Sequence, residues 1–275
     1  MPVDVLATVL DNTQLADDYN VLRLAAPEIA VEAAPGQFVM VKPAAGVDPL
    51  LRRPFSVFEV IRDEHGRPAA ISLLNKKVGV GTRLLFEARA GDRLACLGPL
   101  GQPFEPVSPP AQAWLVAGGV GLAPFATLAE ALRARGTETT LFYGARRASD
   151  LHRCDIFERL RVRLDVATED GSRGMRGLVT GPLERALAAL PAGAALRLYA
   201  CGPTPMMRAV SALATRAGHR CDVSLEQTMG CGLGGCYSCV VRVRGEDGVP
   251  HFVRSCIAGP VFDGRSVVWE ELGGH

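Results

Sequence analysis

Apolar positions come in two rhythms along this chain. Up to about residue 100 they form short runs, among them "DVLATVL", "YNVLRLAA", "QFVMVKP", "FSVFEVI", "AAISLLNKK" and "DRLACLGPLG". Gly, Pro and Asp turn signals separate them, the pattern of a closed antiparallel β-barrel. From residue 112 the rhythm changes. "AWLVAGGVGLAPFATLAEALRARG" reads as a strand, a glycine turn and a helix whose Leu128 and Leu132 stand one helical turn apart. "TETTLFYGARR" predicts a strand, "DIFERLRVRLDVATEDG" a short helix and a strand, and "GPLERALAALPAG" a helix. "ALRLYACGP" predicts another strand and "TPMMRAVSALATRAG" another helix. Alternating strands and helices imply a parallel sheet of the nucleotide-binding kind. The Pro-rich "FEPVSPP" between the halves reads as a linker, and the rest is a Cys- and Gly-rich tail closing on an expected strand, "RSVVWEEL". The prediction is a three-domain chain: an antiparallel barrel over 1–104, an α/β parallel-sheet domain over 105–222 and a small tail domain over 223–275.

Composition narrows the class. Of 275 residues, 48% are hydrophobic and 21% charged, with a formal net charge of +1. These values fit a globular protein and supply no bulk attraction to nucleic acid or a membrane surface. The N-terminus carries acids and lacks a basic segment leading into an apolar run, so no signal peptide is expected. The uncharged stretch from Pro106 to Ala129 is interrupted by Pro109, Pro110, Gly118, Gly119, Gly121 and Pro124, which argues against a membrane span. A cytoplasmic location is expected, where thiols stay reduced.

Eight cysteines then matter. Cys96, Cys154, Cys201 and Cys221 are scattered. The other four follow the spacing Cys231-x4-Cys236-x2-Cys239-x16-Cys256 inside and after "MGCGLGGCYSC". A disulfide knot, a zinc site and an iron–sulfur cluster all use four cysteines. Structural zinc favours paired short knuckles, and only one short pair is present. The C-x4-C-x2-C…C order is that of plant-type [2Fe–2S] proteins. In that reading Gly230, Gly232, Gly234 and Gly235 provide positive-φ turns and bring amides to the sulfurs.

Other segments carry anion-binding chemistry. Gly118, Gly119 and Gly121 follow a strand and precede a helix, a turn that lets backbone approach a pyrophosphate. Cys201, Gly202 and Pro203 end a later strand at the edge where open parallel sheets bind ligands. Read alone, Cys201 is equally a small core residue. In "LLRRPFSVFEV" arginine suits a pyrophosphate and serine a ring nitrogen. Arg53 and Ser56 would face opposite ways on a regular strand. Gly79, Gly81 and Thr82 precede a helical pattern, where Thr82 also reads as a plain helix cap.

Taken in order, R-P-x-S, G-x-G-T, G-G-x-G-x-A-P and C-G-P resemble the ferredoxin–NADP reductase superfamily over residues 1–222. The resemblance implies that the barrel holds FAD and the second domain a pyridine nucleotide. It places Arg53, Pro54, Phe55, Ser56, Gly79, Gly81 and Thr82 at FAD, with Arg53 on the pyrophosphate and Ser56 near flavin N5. It places Gly118, Gly119, Gly121, Cys201, Gly202 and Pro203 at NAD, with Cys201 near the nicotinamide. The segments "ATEDGSRGMRGLVTGPL" and "SLEQTMGCGLGGCYSCVVRV…FVRSCIAGPVFDGRSVVWEEL" further resemble the electron-transfer subunits of class 1B dihydroorotate dehydrogenases. This implies an oxidoreductase subunit whose Cys231, Cys236, Cys239 and Cys256 ligate a [2Fe–2S] cluster. It also implies an FMN-containing catalytic partner that oxidises dihydroorotate to orotate in pyrimidine biosynthesis. Electrons would pass from FMN through [2Fe–2S] and FAD to NAD⁺ in a heterotetramer of two of each subunit. Flavoprotein subunits of sulfhydrogenases and electron-bifurcating transhydrogenases share much of this layout and form the alternative. A zinc-stabilised redox-sensing module is the remote one. Arg146 and Arg147 could pair with a 2′-phosphate, so NADP stays open beside NAD. Asp150 would oppose it, and the resemblance favours NAD.

Overall fold

A computed structural model describes residues 1–272. Contacts divide the chain into two compact units: residues 1–103 with 227–240 and 254–260, and residues 104–226 with 241–253 and Val261 onward.

The first unit is built on β1 (Val3–Gln14), β2 (Tyr19–Ala25), α1 (Pro27–Ala30), β3 (Phe38–Val41), β4 (Arg53–Ser56), β5 (Glu59–Arg62), β6 (Pro68–Lys76), α2 (Val80–Glu87) and β7 (Arg93–Leu100). Its seven strands run antiparallel in the order β4-β3-β7-β1-β2-β6-β5. The outermost strands β4 and β5 are consecutive in sequence, so the sheet must curl. Between them Val57 donates to the Gln37 carbonyl and Phe58 to the Ser72 carbonyl, at 3.0 and 2.9 Å. The expected barrel is thus a curled sheet whose seam is bridged by two residues of backbone.

Alternation assigns the faces. Ala7, Val9, Leu22, Leu24, Val39, Val41, Ile71, Leu73 and Cys96 share one core. The intervening Phe38 and Met40 face a second cluster with Leu100, Met229, Cys239 and Cys256. A chain of side-chain amides fixes α2. Asn75 Nδ2 donates to Asn20 Oδ1 and to the Thr82 carbonyl, and Asn20 Nδ2 donates to Asn12 Oδ1. Asn12 Nδ2 in turn meets the carbonyls of Leu85, Phe86 and Ala88 at the helix C-terminus.

The second unit carries β8 (Gln112–Gly118), α3 (Phe125–Ala134), β9 (Thr139–Ala145), α4 (Cys154–Arg159), β10 (Arg163–Thr168), β11 (Met175–Arg176), α5 (Thr180–Ala189), β12 (Leu196–Cys201), α6 (Thr204–Arg216) and β13 (Arg220–Ser224). Strand order is β11-β10-β9-β8-β12-β13, all parallel, and the order reverses between β8 and β12. The middle of β8 is buried on both faces, which explains its unbroken apolar run. "FEPVSPP" is anchored to this unit: Tyr199 Oη donates to the Glu105 carbonyl and accepts from Val107 N–H.

The tail adds a small set of elements of its own. A hairpin, β14 (Val240–Arg244) and β15 (Pro250–Arg254), is followed by α7 (Ser255–Ala258) and β16 (Val261–Asp263). β16 pairs antiparallel with β13. A two-stranded hairpin cannot build its own core, and the tail residues are shared between the two units. "RSVVWEEL" is not a strand. Val267 makes one isolated bridge to Val243, and Trp269–Glu271 is a 3-10 turn whose indole Nε1 donates to the Gly264 carbonyl. Among the described residues no helix is long and apolar enough to cross a membrane.

Asp222 is buried in the second unit, where its carboxylate accepts from Arg197 Nε at 2.7 Å and Arg220 Nε at 2.9 Å. Arg197 is itself largely enclosed. Asp222→Ala leaves that guanidinium only the exposed Glu105 carboxylate at 3.3 Å and is expected to cost about 3 kcal/mol, read as a lowered urea midpoint.

Candidate functional site

Three groups of residues carry chemistry. The first lies at β4 and α2. Of the two adjacent arginines, Arg52 is already spent: it grips Asp4 with two bonds of 2.9 and 2.8 Å. Arg53 Nη1 donates to the Leu51 and Arg52 carbonyls, and its side chain lies against Gly81. A Cβ on Gly81 would stand 3.0 Å from Arg53 Nε. The missing side chain therefore lets the guanidinium reach the first turn of α2, whose amides and dipole favour an anion. Thr82 Oγ1 accepts Val78 and Gly79 N–H at 2.9 and 3.0 Å, so Thr82 caps the helix. Gly79 is extended and faces open space. The cradle suits a diphosphate. On β4, Arg53 and Phe55 pair with Val41 and Val39, while Pro54 and Ser56 pair with Met40 and Phe38. Cross-strand partners share a face, so Arg53 and Ser56 lie on opposite faces, and only a ligand wrapping the strand edge meets both.

The second group sits where the parallel strand order reverses. A Cβ on Gly118 would stand 2.7 Å from Met206 Sδ and 2.9 Å from Pro203, and one on Gly121 would overlap the Cys201 carbonyl. Gly202 has φ +146 and lies against Gly118 N and O. The structure thus brings Gly118, Gly121, Cys201, Gly202 and Pro203 together as two interlocked loops. Gly119 has φ +56, and its carbonyl accepts from Tyr143 Oη at 3.3 Å. Such a crevice at the carboxyl ends of the strands is where open α/β sheets take nucleotides. Burial first, and then the Glu226 charge, push the Cys201 thiol well above its ordinary range. That direction favours the protonated thiol, which is a poor nucleophile. Arg147, beyond β9, is tied to Asp150 at 3.3 Å.

The third group is the cysteine loop. Cys239 and Cys256 are buried, Cys231 is half-buried and Cys236 exposed. Cys231 lies within reach of Cys236 and Cys239 within reach of Cys256, and Cys231 also acts on Cys256. Among the described residues no three His, Cys, Asp or Glu side chains gather as one metal ion would require. Two thiol pairs fit a cluster of two irons with two thiolates each. Leu233 N–H donates to Cys231 Sγ at 3.4 Å. Of the four glycines, only Gly232 and Gly234 have positive φ, at 73 and 79. Gly230 serves by space instead, since a Cβ there would stand 3.1 Å from Cys236 Sγ. Gly235 faces open space at ordinary φ, and the third left-handed residue is Tyr237, with φ 59. Arg254 holds this strained turn: it donates to the Gly234 carbonyl at 2.8 Å and lies 5.2 Å from the Tyr237 ring centroid. No sequence motif marked Arg254 or the asparagine chain, because each acts through partners distant in sequence.

A curled antiparallel sheet with an anion cradle, a doubly wound sheet with a nucleotide crevice and a paired-thiol loop together define an iron–sulfur oxidoreductase of the ferredoxin–NADP reductase fold. Known proteins agree. Residues 115–212 match the oxidoreductase NAD-binding domain, and residues 226–268 match the iron–sulfur cluster binding domain of dihydroorotate dehydrogenase B. The chain is 36% identical over 264 residues to the dihydroorotate dehydrogenase B (NAD(+)) electron transfer subunit of Desulforamulus reducens, covering 96% of this chain and 98% of that one. The corresponding subunit of Bacillus caldolyticus is 37% identical, over 95% and 97% of the two chains. A solved NADH-dependent reduced ferredoxin–NADP oxidoreductase, described for flavin-based electron bifurcation, superposes with a TM-score of 0.85 at 31% identity. That match covers 98% of this chain and 91% of the other. The chain belongs to the family of dihydroorotate dehydrogenase B electron transfer subunits.

Two outcomes are expected. Gly81→Val drives a side chain into Arg53, so it should weaken FAD binding at least as much as Arg53→Ala, measured by titrating flavin into cofactor-free protein. In cluster-free protein the Cys236 thiol is pulled down to about 6, first by the Ser238 hydroxyl and then by the Ser238 and Cys231 amides. Its lowered value means the thiolate is present above that pH and lost below it. Cys236 alkylation should therefore rise as pH climbs through about 6, where an ordinary thiol waits until roughly 8.5.

Proposed function

We propose that this chain carries electrons between NAD⁺ and a catalytic partner subunit that bears FMN and oxidises dihydroorotate to orotate. The observation that supports this most directly is the position of the cysteine loop. It packs on Phe38 and Met40 of β3, and the neighbouring β4 carries Ser56 directly across from Phe38. The cluster site and the flavin strand therefore belong to one compact unit.

Each cofactor has a place among the residues. Arg53 and the first turn of α2, with Gly79, Gly81 and Thr82, would hold the FAD diphosphate, and Pro54, Phe55 and Ser56 would meet the rest of the FAD along the two faces of the strand edge. Gly118, Gly119, Gly121, Cys201, Gly202 and Pro203 would take NAD. Cys231, Cys236, Cys239 and Cys256 would hold [2Fe–2S]. Bound flavin supplies the conversion between two-electron hydride chemistry and one-electron transfer. The protein's own contribution is binding, orientation and electrostatics. We assign no side-chain acid or base, and the neutral Cys201 thiol has no covalent part. Asp150 engages Arg147 and would take up the charge that a 2′-phosphate needs, which supports NAD over NADP. The assembly would be a cytoplasmic heterotetramer of two of each subunit, with the partner docking around the cysteine loop.

A second reading has one specific observation behind it. The bifurcating oxidoreductase superposes over nearly the whole chain, so a flavoprotein subunit of such a complex would look similar. The partner decides between them.

The test is the absorption spectrum and iron content of the purified chain. Flavin and thiolate-to-iron bands that NADH bleaches are expected, and zinc without iron would refute the assignment. Cys239→Ser should keep FAD reduction by NADH and lose electron transfer to the partner. Co-purification should bring down an FMN protein active on dihydroorotate.

A further inference from the structure

Ser238 lies between Cys236 and Cys239 and belongs to neither the ligand set nor the glycine turns. Its hydroxyl oxygen accepts Gly230 N–H at 2.9 Å and stands 3.1 Å from Cys236 Sγ. An amide N–H can only donate, whereas a hydroxyl has one proton and two lone pairs. Gly230 N–H takes one lone pair of the oxygen. A cysteine that ligates iron is a thiolate with no proton to give, so in the cluster-bound form Ser238 donates and Cys236 accepts. The arrangement is confined as well as directed. A Cβ on Gly230 would stand 3.1 Å from Cys236 Sγ and 3.4 Å from Ser238 Oγ. Glycine at 230 therefore lets the amide, hydroxyl and sulfur close on one another.

We propose that Ser238 is a positioning residue that raises the reduction potential of the iron–sulfur centre through its hydrogen bond to Cys236 Sγ. The inference rests on the reading that the four cysteines hold a [2Fe–2S] cluster. One-electron reduction adds a negative charge that the thiolate sulfurs share. A donated hydrogen bond strengthens as its acceptor becomes more negative, so it stabilises the reduced form more than the oxidised one. Hydrogen bonds to the sulfurs are among the factors that set cluster potentials. The bond falls on the Cys231–Cys236 pair, the more exposed half of the site. Cys239 and Cys256 are screened by Phe38, Met40, Leu100 and Met229 instead. One half of the site is thus tuned by a side-chain hydroxyl and the other by burial.

The test uses the full chain loaded with iron and sulfide, as wild type, Ser238→Ala, Ser238→Gly and Ser238→Thr. Iron content and the midpoint potential from an EPR-monitored redox titration are measured for each. Both hydroxyl-free variants should keep their iron and become harder to reduce, by about tenfold in the one-electron equilibrium, or about 59 mV. Ser238→Thr should restore the wild-type potential. A hydroxyl-free variant with full iron and an unchanged potential overturns the proposal, as does a threonine variant that fails to restore it. Loss of iron from both hydroxyl-free variants would make Ser238 structural and also overturn it. A wild-type chain without a [2Fe–2S] signal would refute the cluster reading itself, an outcome distinct from all of these.

Discussion

Met40 and Leu100 occupy the space that a side chain on Gly232 would need, and the cysteine loop depends on that contact. Four thiolates around iron need shelter from solvent, and a glycine-rich loop has almost no apolar side chains with which to provide it. The loop borrows a surface instead. Strand alternation gives β3 two apolar faces: Val39 and Val41 serve the core of the curled sheet, while Phe38 and Met40 cover Cys239 and Cys256. A strand buried on both faces this way cannot shift register by one residue without losing both cores. The same register sets Pro54 and Ser56 of β4 beside Met40 and Phe38.

Close approach without side chains recurs wherever the molecule carries chemistry. Gly81 admits Arg53 to a helix N-terminus, Gly118 and Gly121 admit the loop of Cys201 and Gly202, and Gly230 admits Cys236 and Ser238. In each case the glycine is required by its neighbour, and only some of these positions need left-handed backbone. Within the cysteine loop Tyr237 is a full side chain at positive φ, and Arg254 holds both it and the Gly234 carbonyl.

Much of this was legible in the sequence, for identifiable reasons. The period-two runs and the strand–helix alternation are local patterns, and both sheets follow them closely. Cysteine spacing is also local: four residues, then two, bring three thiols onto one tight loop. The reading went astray where the outcome depended on what the chain meets. "RSVVWEEL" has strand-like composition, but Trp269 turns back to bond the Gly264 carbonyl. The tail matches an iron–sulfur cluster binding domain over residues 226–268, and the cysteines within it pack on Phe38, Met40 and Leu100 of the curled sheet. The four glycines looked alike, and the structure gives them different jobs, with none evident for Gly235.

The sequence by itself determined the alternation of elements, the cysteine set and the glycine-rich turns, because each is written within a few residues or a few turns of chain. Tertiary structure alone decided which of two adjacent arginines is free for an anion. Asp4 claims Arg52, and Gly81 makes room for Arg53. It also decided that Thr82 caps a helix, that Cys201 is a buried thiol and that the Ser238 hydroxyl stands against Cys236 Sγ. Those roles are set by partners brought together in space, and an isolated residue carries no record of which neighbour will take its hydrogen bond.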